Sequence, residues 1–88
     1  MTITTNINKF IDYIEDVYSS LNIYRAIIIV KNHNEASILH DNLIKYSHMP
    51  LIIDNKNNIN YNYRLFIIYD INILKEFNKN FYNFIAVY

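Results

Sequence analysis

The sequence predicts an α/β fold, a small three-layer sandwich in which about four mostly parallel strands lie between about three helices on both faces. Three observations support it. Short runs of β-branched and aromatic residues are continuously apolar, without the alternation typical of an antiparallel sheet. Amphipathic segments with helical spacing separate these runs. The length of 88 residues is that of one domain, which we expect to span residues 1–88.

The chain begins with a predicted helix and a predicted strand. Thr5 or Asn6 can cap the helix, because either side-chain oxygen can accept from the free amides of the first turn. After an exit at 19–22, an unbroken apolar run at 26–30 predicts a central strand that is buried on both faces. The apolar side chains that recur at helical spacing in the first segment are Ile7, Phe10, Ile11, Ile14, Val17 and Tyr18.

A second helix and a second strand follow. Residues 31–34 form a predicted turn, in which Asn34 is the expected cap of a helix that continues to about Tyr46. Pro50 interrupts the chain because it cannot continue a helix. The short apolar run at 51–53 then predicts the second buried strand.

The last third of the chain begins with a polar loop rich in Asn at 54–63. The run at 65–69 again predicts a buried strand, and a fourth strand is expected at 83–88. Between them, helical spacing predicts a third helix. The apolar positions that mark this helix are Ile71, Leu74, Phe77 and Phe81.

The composition excludes several functional classes. Without a glycine, the chain lacks the phosphate-cradling loops, dinucleotide fingerprints and nucleophile elbows that require one. Without a cysteine, it has no disulfides and no thiolate chemistry, which fits a reducing compartment. No apolar run is long enough to span a bilayer. We therefore expect a cytoplasmic protein that has no membrane contact, no cofactor and no catalytic residues.

Charge and codon bias limit the partners. Eight basic residues balance eight acidic ones, so no net field draws the chain onto nucleic acid. Ile, Asn, Lys and Tyr dominate the sequence, and A/T-rich codons specify all four. This bias predicts a viral source or another A/T-rich genome, with the host cytoplasm or a virion as the location in the viral case, and it gives the Asn runs no binding role by themselves.

Five segments, at 24–31, 35–39, 50–53, 65–70 and 83–88, follow one another as a strand, a helix with small and leucine residues, and three further apolar runs. In this order they resemble the second RecA-like lobe of superfamily-two helicases. The resemblance implies a degenerate helicase-like lobe that touches single-stranded nucleic acid through Lys31, Asn32 and Arg64 without ATPase activity. Tyr69 stands where that family has a Thr, and no glycine follows Asp70.

Polar residues follow three of the predicted strands. Open α/β sheets place ligands at the carboxyl ends of their strands, where these side chains could bind an anion, a metal or a sugar hydroxyl. The alternative is that the two Asp residues end strands and cap turns. The three His residues lack a recognisable metal spacing, so we expect no metal site. The candidate contact residues at the strand ends are Lys31, Asn32, His33, Asp54 and Asp70.

Tyrosines give the second set of candidates. Tyr61 and Tyr63 lie just before Arg64 in the sequence, an arrangement that suggests base stacking. Such tyrosines also form protein interfaces, and Tyr82 and Tyr88 add to that interpretation. The edges of the sheet offer unpaired strands as well. We therefore expect a non-enzymatic interaction module that binds a protein partner or itself as a homodimer. Nucleic-acid contact is the second hypothesis, and an enzyme that uses Lys31 and the two Asp residues is the third.

Overall fold

Four parallel strands form one sheet in the computed structural model of this protein, which describes residues 6–60 and 62–88. The strand order is β2-β3-β1-β4, so β1 and β3 are central and β2 and β4 are the edges. All pairings are parallel. The predicted α/β sandwich is confirmed. The strands are β1 (Ala26–Ile29), β2 (Pro50–Ile53), β3 (Leu65–Ile68) and β4 (Phe84–Val87).

Helices cover both faces of this sheet. Helix α1 (Ile7–Ser20) and helix α2 (His33–Lys45) contribute to one hydrophobic core. Residues around helix α3 (Ile71–Leu74) contribute to the core on the opposite face, and a short 3-10 helix covers Lys56–Asn58. Among the helices of the described ranges, none is long and apolar enough to cross a membrane.

Helix α1 begins as the sequence predicts. Asn6 has an extended backbone, and its side-chain oxygen accepts from the amide of Lys9 at 2.9 Å. This bond satisfies one of the amides that a helix start leaves without a partner. The side chains of Phe10, Ile11 and Ile14 are almost completely buried. The amphipathic pattern therefore places one face of α1 against the sheet.

The predicted cap of helix α2 is wrong by two residues. Asn32 is the cap, and its side-chain oxygen accepts from the amide of Glu35 at 2.9 Å. Asn34 lies inside the first turn. Both asparagines are chemically suited to a cap. Asn32 is the cap because the connection between β1 and α2 consists only of residues 30–32, so the helix begins directly after Asn32.

The third helix is much shorter than predicted. Helix α3 ends at Leu74, so Phe77 and Phe81 lie outside it. The side chain of Asn78 accepts from the amide of Asn80 at 2.9 Å, and the Asn78 carbonyl accepts from the amide of Phe81 at 2.8 Å. These turn bonds compete with a continuing helix. The two phenylalanine rings remain buried although the helical backbone is absent.

Five of the eight strand ends differ from the predictions by one residue, and the other three agree with them. Each strand has four residues, and Pro50 is the first residue of β2 rather than a break before it. Proline is accepted at this place because β2 is an edge strand, where a missing amide need not weaken the ladder. Strands β1 and β3 are both central, which explains their unbroken apolar sequences.

The side chains of each strand divide between two cores. We call the side of the sheet under α1 and α2 the double-helix face, and the side under α3 the single-turn face. Within β1, Ile28 points to the double-helix face and Ile27 to the single-turn face, and both are fully buried. The single-turn core is aromatic, because the rings of Phe66 and Phe81 lie 5.2 Å apart between centroids.

Candidate functional site

Three of the residues predicted at the carboxyl ends of the strands form hydrogen bonds within local turns and helix caps. The Asp70 carboxylate accepts from the amide of Asn72 at 2.9 Å and caps α3. The Asp54 carboxylate accepts from the side-chain amides of Asn55, at 3.3 Å, and Asn58. Asn32 caps α2. These contacts are those of strand ends and turn caps.

Lys31 and His33 complete the predicted set at the same end of the sheet, and both are exposed. The ring of His33 contacts the ring of Tyr69 edge to face, with 5.5 Å between centroids. Within residues 6–60 and 62–88, no ion pair joins Lys31 to Asp54 or Asp70. The same ranges hold no group of three His, Cys, Asp or Glu side chains placed to bind a metal.

The two arginines of the chain lie at the opposite end of the sheet. Arg25 directly precedes β1 and Arg64 directly precedes β3. The amide of Ala26 donates to the Arg64 carbonyl at 2.9 Å, so the backbones of the two arginines are neighbours. The structure thus separates Arg64 from Lys31 and Asn32 by the length of a strand, about 13 Å for four residues.

A pocket of about 380 Å³ opens at this amino end. We call it the aromatic pocket. Its walls include Tyr18 from the last turns of α1, and His48, Met49, Tyr63 and Arg64 from the segments before β2 and β3. The rings of Tyr18 and His48 are stacked, with 6.4 Å between centroids and 24° between planes. None of the acidic residues that the structure describes lines the pocket.

The end of helix α2 places His48 in the pocket. Ser47 has a φ of 68°, in the left-handed region that favours glycine. Its amide donates to the Ile44 carbonyl at 3.0 Å, and the His48 amide donates to the Leu43 carbonyl at 3.0 Å. This pair of bonds is the Schellman motif, which usually has glycine at the Ser47 position. The chain contains no glycine, so a serine carries the strain of this turn.

Burial and a nearby charge have opposite effects on the pKa of the Tyr18 hydroxyl. Burial raises the pKa of this phenol above its ordinary value, while the nearby positive charge of Arg64 acts in the opposite direction. The Nε2 atom of His48 is buried and has no hydrogen-bond partner among the described residues, and a carboxylate oxygen of Glu15 lies 3.9 Å from it. Arg64 is exposed and forms no ion pair with any residue in the described part of the chain.

A second pocket, of about 440 Å³, adjoins the first and shares Asn62 and Arg64 with it. Tyr24 and Arg25 form its far side. The Arg25 guanidinium lies 4.6 Å from the centroid of the Phe81 ring and donates to the Phe81 carbonyl at 3.3 Å. These contacts hold Arg25 in place, whereas Arg64 lies at the opening between the pockets. We call the second pocket the arginine pocket.

The edge strand β4 forms a different kind of site. Its Ile85 and Val87 side chains are 39% and 42% exposed, on the single-turn face. The amide of Tyr88 donates to the Ile29 carbonyl at 2.9 Å, so residues 84, 86 and 88 turn their backbone groups toward β1. The N–H and C=O groups of Ile85 and Val87 therefore point away from the sheet.

The three predicted interface tyrosines that the structure describes are divided between the two cores. Tyr61 lies outside the described residues. Tyr63 and Tyr82 are half-buried against the single-turn core. Tyr88 packs on the double-helix core, with its ring centroid 4.8 Å from that of Phe10, and burial raises the pKa of its phenol, helped by the negative charge of Glu35.

Sequence reasoning missed several residues of these sites, among them Tyr18, His48, Ile85 and Val87. The sequence offers a signal only for the two arginines, because each directly precedes an apolar run and therefore lies at the amino end of a predicted strand. For Ile85 and Val87 the sequence offers no comparable signal, because β4 reads like the buried strands. Their exposure depends on the position of β4 at the edge.

Comparison with protein-family models, with curated proteins and with solved structures found no match to this chain. The resemblance to a helicase lobe therefore stays a prediction based on the order of the motifs.

Proposed function

We propose that this protein is a non-enzymatic interaction module that pairs with a second copy of itself through the edge of β4. The observation that supports the proposal is that Ile85 and Val87 combine exposed apolar side chains with outward backbone groups. Unpaired strands with these two properties readily accept another strand.

The chemistry of β4 favours an identical partner. Residues 83–88 carry no charged side chain, so two copies of this edge meet without repulsion. A two-fold axis perpendicular to the sheet makes the two strands antiparallel and keeps the single-turn faces on the same side. Ile85 then lies opposite Val87 of the partner subunit, and every outward N–H and C=O of these residues finds an acceptor or a donor.

The other edge of the sheet is less suited to pairing. Strand β2 starts with Pro50, which lacks an amide, and Asp54 follows the strand directly. Proline and nearby charge are features that protect edges from unwanted association. We therefore expect β4 to be the edge that pairs, giving a closed dimer rather than an open chain of copies.

Sedimentation over a wide concentration range tests this proposal. The double variant Ile85→Lys and Val87→Lys should be monomeric where the unmodified chain is a dimer, because like charges then face each other across the axis. The matched control is Ile44→Lys, on an exposed position of α2, which should leave the dimer intact. A wild-type chain that stays monomeric at high concentration, or equal loss of the dimer in the control, contradicts edge pairing.

Contact with single-stranded nucleic acid is the second candidate function. It is favoured by Arg64, which has no ion pair in the described ranges and lines the aromatic pocket together with Tyr63. Binding of a labelled oligonucleotide that weakens steeply with salt, and that Arg64→Gln reduces, supports this function. Absence of binding at low ionic strength contradicts it.

A further inference from the structure

The aromatic pocket has properties that edge pairing does not require. Its volume of about 380 Å³ lies within the range of about 300–1,000 Å³ that is common for small-molecule sites. It lies at the amino end of the strands. The outward backbone groups of β4 are not part of it. The pocket is therefore a candidate for a separate function.

The walls of the pocket are suited to a flat apolar group. Tyr18 and His48 stack nearly in parallel, and Leu65 contributes an aliphatic surface. Met49, whose side chain is 74% exposed, stands at the rim. Methionine adapts its shape to a ligand at little cost, because its side chain is unbranched and polarizable. Aromatic walls with an adaptable rim favour a planar ring.

The polar groups of the pocket are suited to an anion. Arg64 is exposed and contributes a positive charge without an ion-pair partner in the described part of the protein. No carboxylate of the described residues lines the aromatic pocket or the adjoining arginine pocket. A guanidinium at the wall of a pocket without carboxylates matches a carboxylate or a phosphate.

We propose that the aromatic pocket binds a small anion that carries a planar apolar ring. The ring lies against Tyr18 and His48, and the anionic group lies at Arg64, toward the arginine pocket. A carboxylate and a phosphate share the required chemistry. This proposal does not rest on dimer formation through β4.

Calorimetric titration with two pairs of probes tests the ligand class. Indole-3-acetate and its neutral amide differ only at the carboxylate, and adenosine 5′-monophosphate and adenosine differ only at the phosphate. At least one anion should bind, and its neutral counterpart should bind about tenfold more weakly or worse, because charge-assisted hydrogen bonds are lost. The anion that binds better identifies the source of the charge.

Two variants locate the binding. Arg64→Gln should lower the affinity for the anion about tenfold, because the positive charge is removed. The affinity for the neutral probe should not change. Lys31→Gln removes one positive charge at the opposite end of the sheet and should have no effect. Nuclear magnetic resonance shifts of the His48 ring and the Met49 methyl group should move on titration of the wild-type protein.

Two results would overturn the proposal. The first is that neither small anion binds the wild-type protein, whether or not an oligonucleotide binds. The second is that Lys31→Gln weakens binding of the anion as much as Arg64→Gln does. Anion binding and dimer formation can be tested separately. The variant Arg64→Gln should sediment as the wild type does, and the double variant Ile85→Lys and Val87→Lys should still bind the anion.

Discussion

The two faces of the sheet are covered in different ways. The double-helix face carries α1 of 14 residues and α2 of 13 residues. The single-turn face carries α3 of 4 residues and the irregular segment 75–83. Both faces nevertheless fully bury a side chain of the central strand β1, Ile28 on the double-helix face and Ile27 on the single-turn face, whereas Ile29 on the single-turn face is only partly buried. Irregular backbone can therefore cover the centre of a core.

The faces differ where the cover ends. On the double-helix face, Ala86 of β4 is 6% exposed, whereas its neighbours Ile85 and Val87 on the single-turn face are 39% and 42% exposed. A single helical turn is too short to reach over every strand. Incomplete cover thus places apolar surface on the same strand whose backbone groups are unpaired. The proposed interaction edge therefore lies on the face with the less complete cover.

The largest expected effect compares one substitution on the two faces. Leu39→Ala in α2 removes a fully buried side chain and should lower the free energy of unfolding by about 3 kcal/mol. Leu74→Ala in α3 removes a half-buried one and should cost about 1 kcal/mol. Urea unfolding measures both. Equal losses would mean that the single-turn face carries as much of the stability as the double-helix face.

The helix caps give the next effect. Asn32→Ala removes the cap of the long helix α2 and should cost about 1 kcal/mol of unfolding free energy. Asp70→Ala removes the cap of α3, and the loss should be about 0.5 kcal/mol, because little helix depends on it. If thermal and urea unfolding show the larger loss for Asp70→Ala, the single turn contributes more than its length indicates.

At the end of α2 we expect a substitution that increases the free energy of unfolding. Ser47→Gly should stabilise the protein by about 0.5–1 kcal/mol, because glycine adopts the positive φ of 68° without steric strain. The matched control, Ser37→Gly within α2, should destabilise by about 0.5–1 kcal/mol. Differential scanning calorimetry separates the two variants. Destabilisation by both would show that Ser47 is not strained.

The smallest effect appears only at alkaline pH. Because burial raises the pKa of Tyr18, the folded state holds this proton more tightly than the unfolded state. The resulting stability is complete below the ordinary pKa of about 10 and is lost as the pH rises toward the folded value. Tyr18→Phe should therefore lose less stability than the wild type between about pH 9 and 11. Identical pH profiles in urea unfolding would argue against the burial of this phenol.

Sequence reasoning was reliable where a pattern is local. The cap of α1, predicted as Thr5 or Asn6, and the four strands follow from the sequence because capping oxygens and apolar runs act over a few residues. The length of α3 was predicted wrongly, since the spacing of Phe77 and Phe81 also suits side chains that reach the core from turns. The aromatic pocket was not predicted, because its walls come from α1 and from the segments before two strands.

The sequence by itself determined the sandwich, since strands buried on both faces require continuous apolar runs and amphipathic helices must cover them. It also determined that a residue other than glycine must take the left-handed turn at Ser47. Only the tertiary structure decided that β4 is an edge and that Arg64 lies beside Tyr18 and His48. Strand order and the meeting of distant segments depend on how the whole chain packs, and no local pattern encodes them.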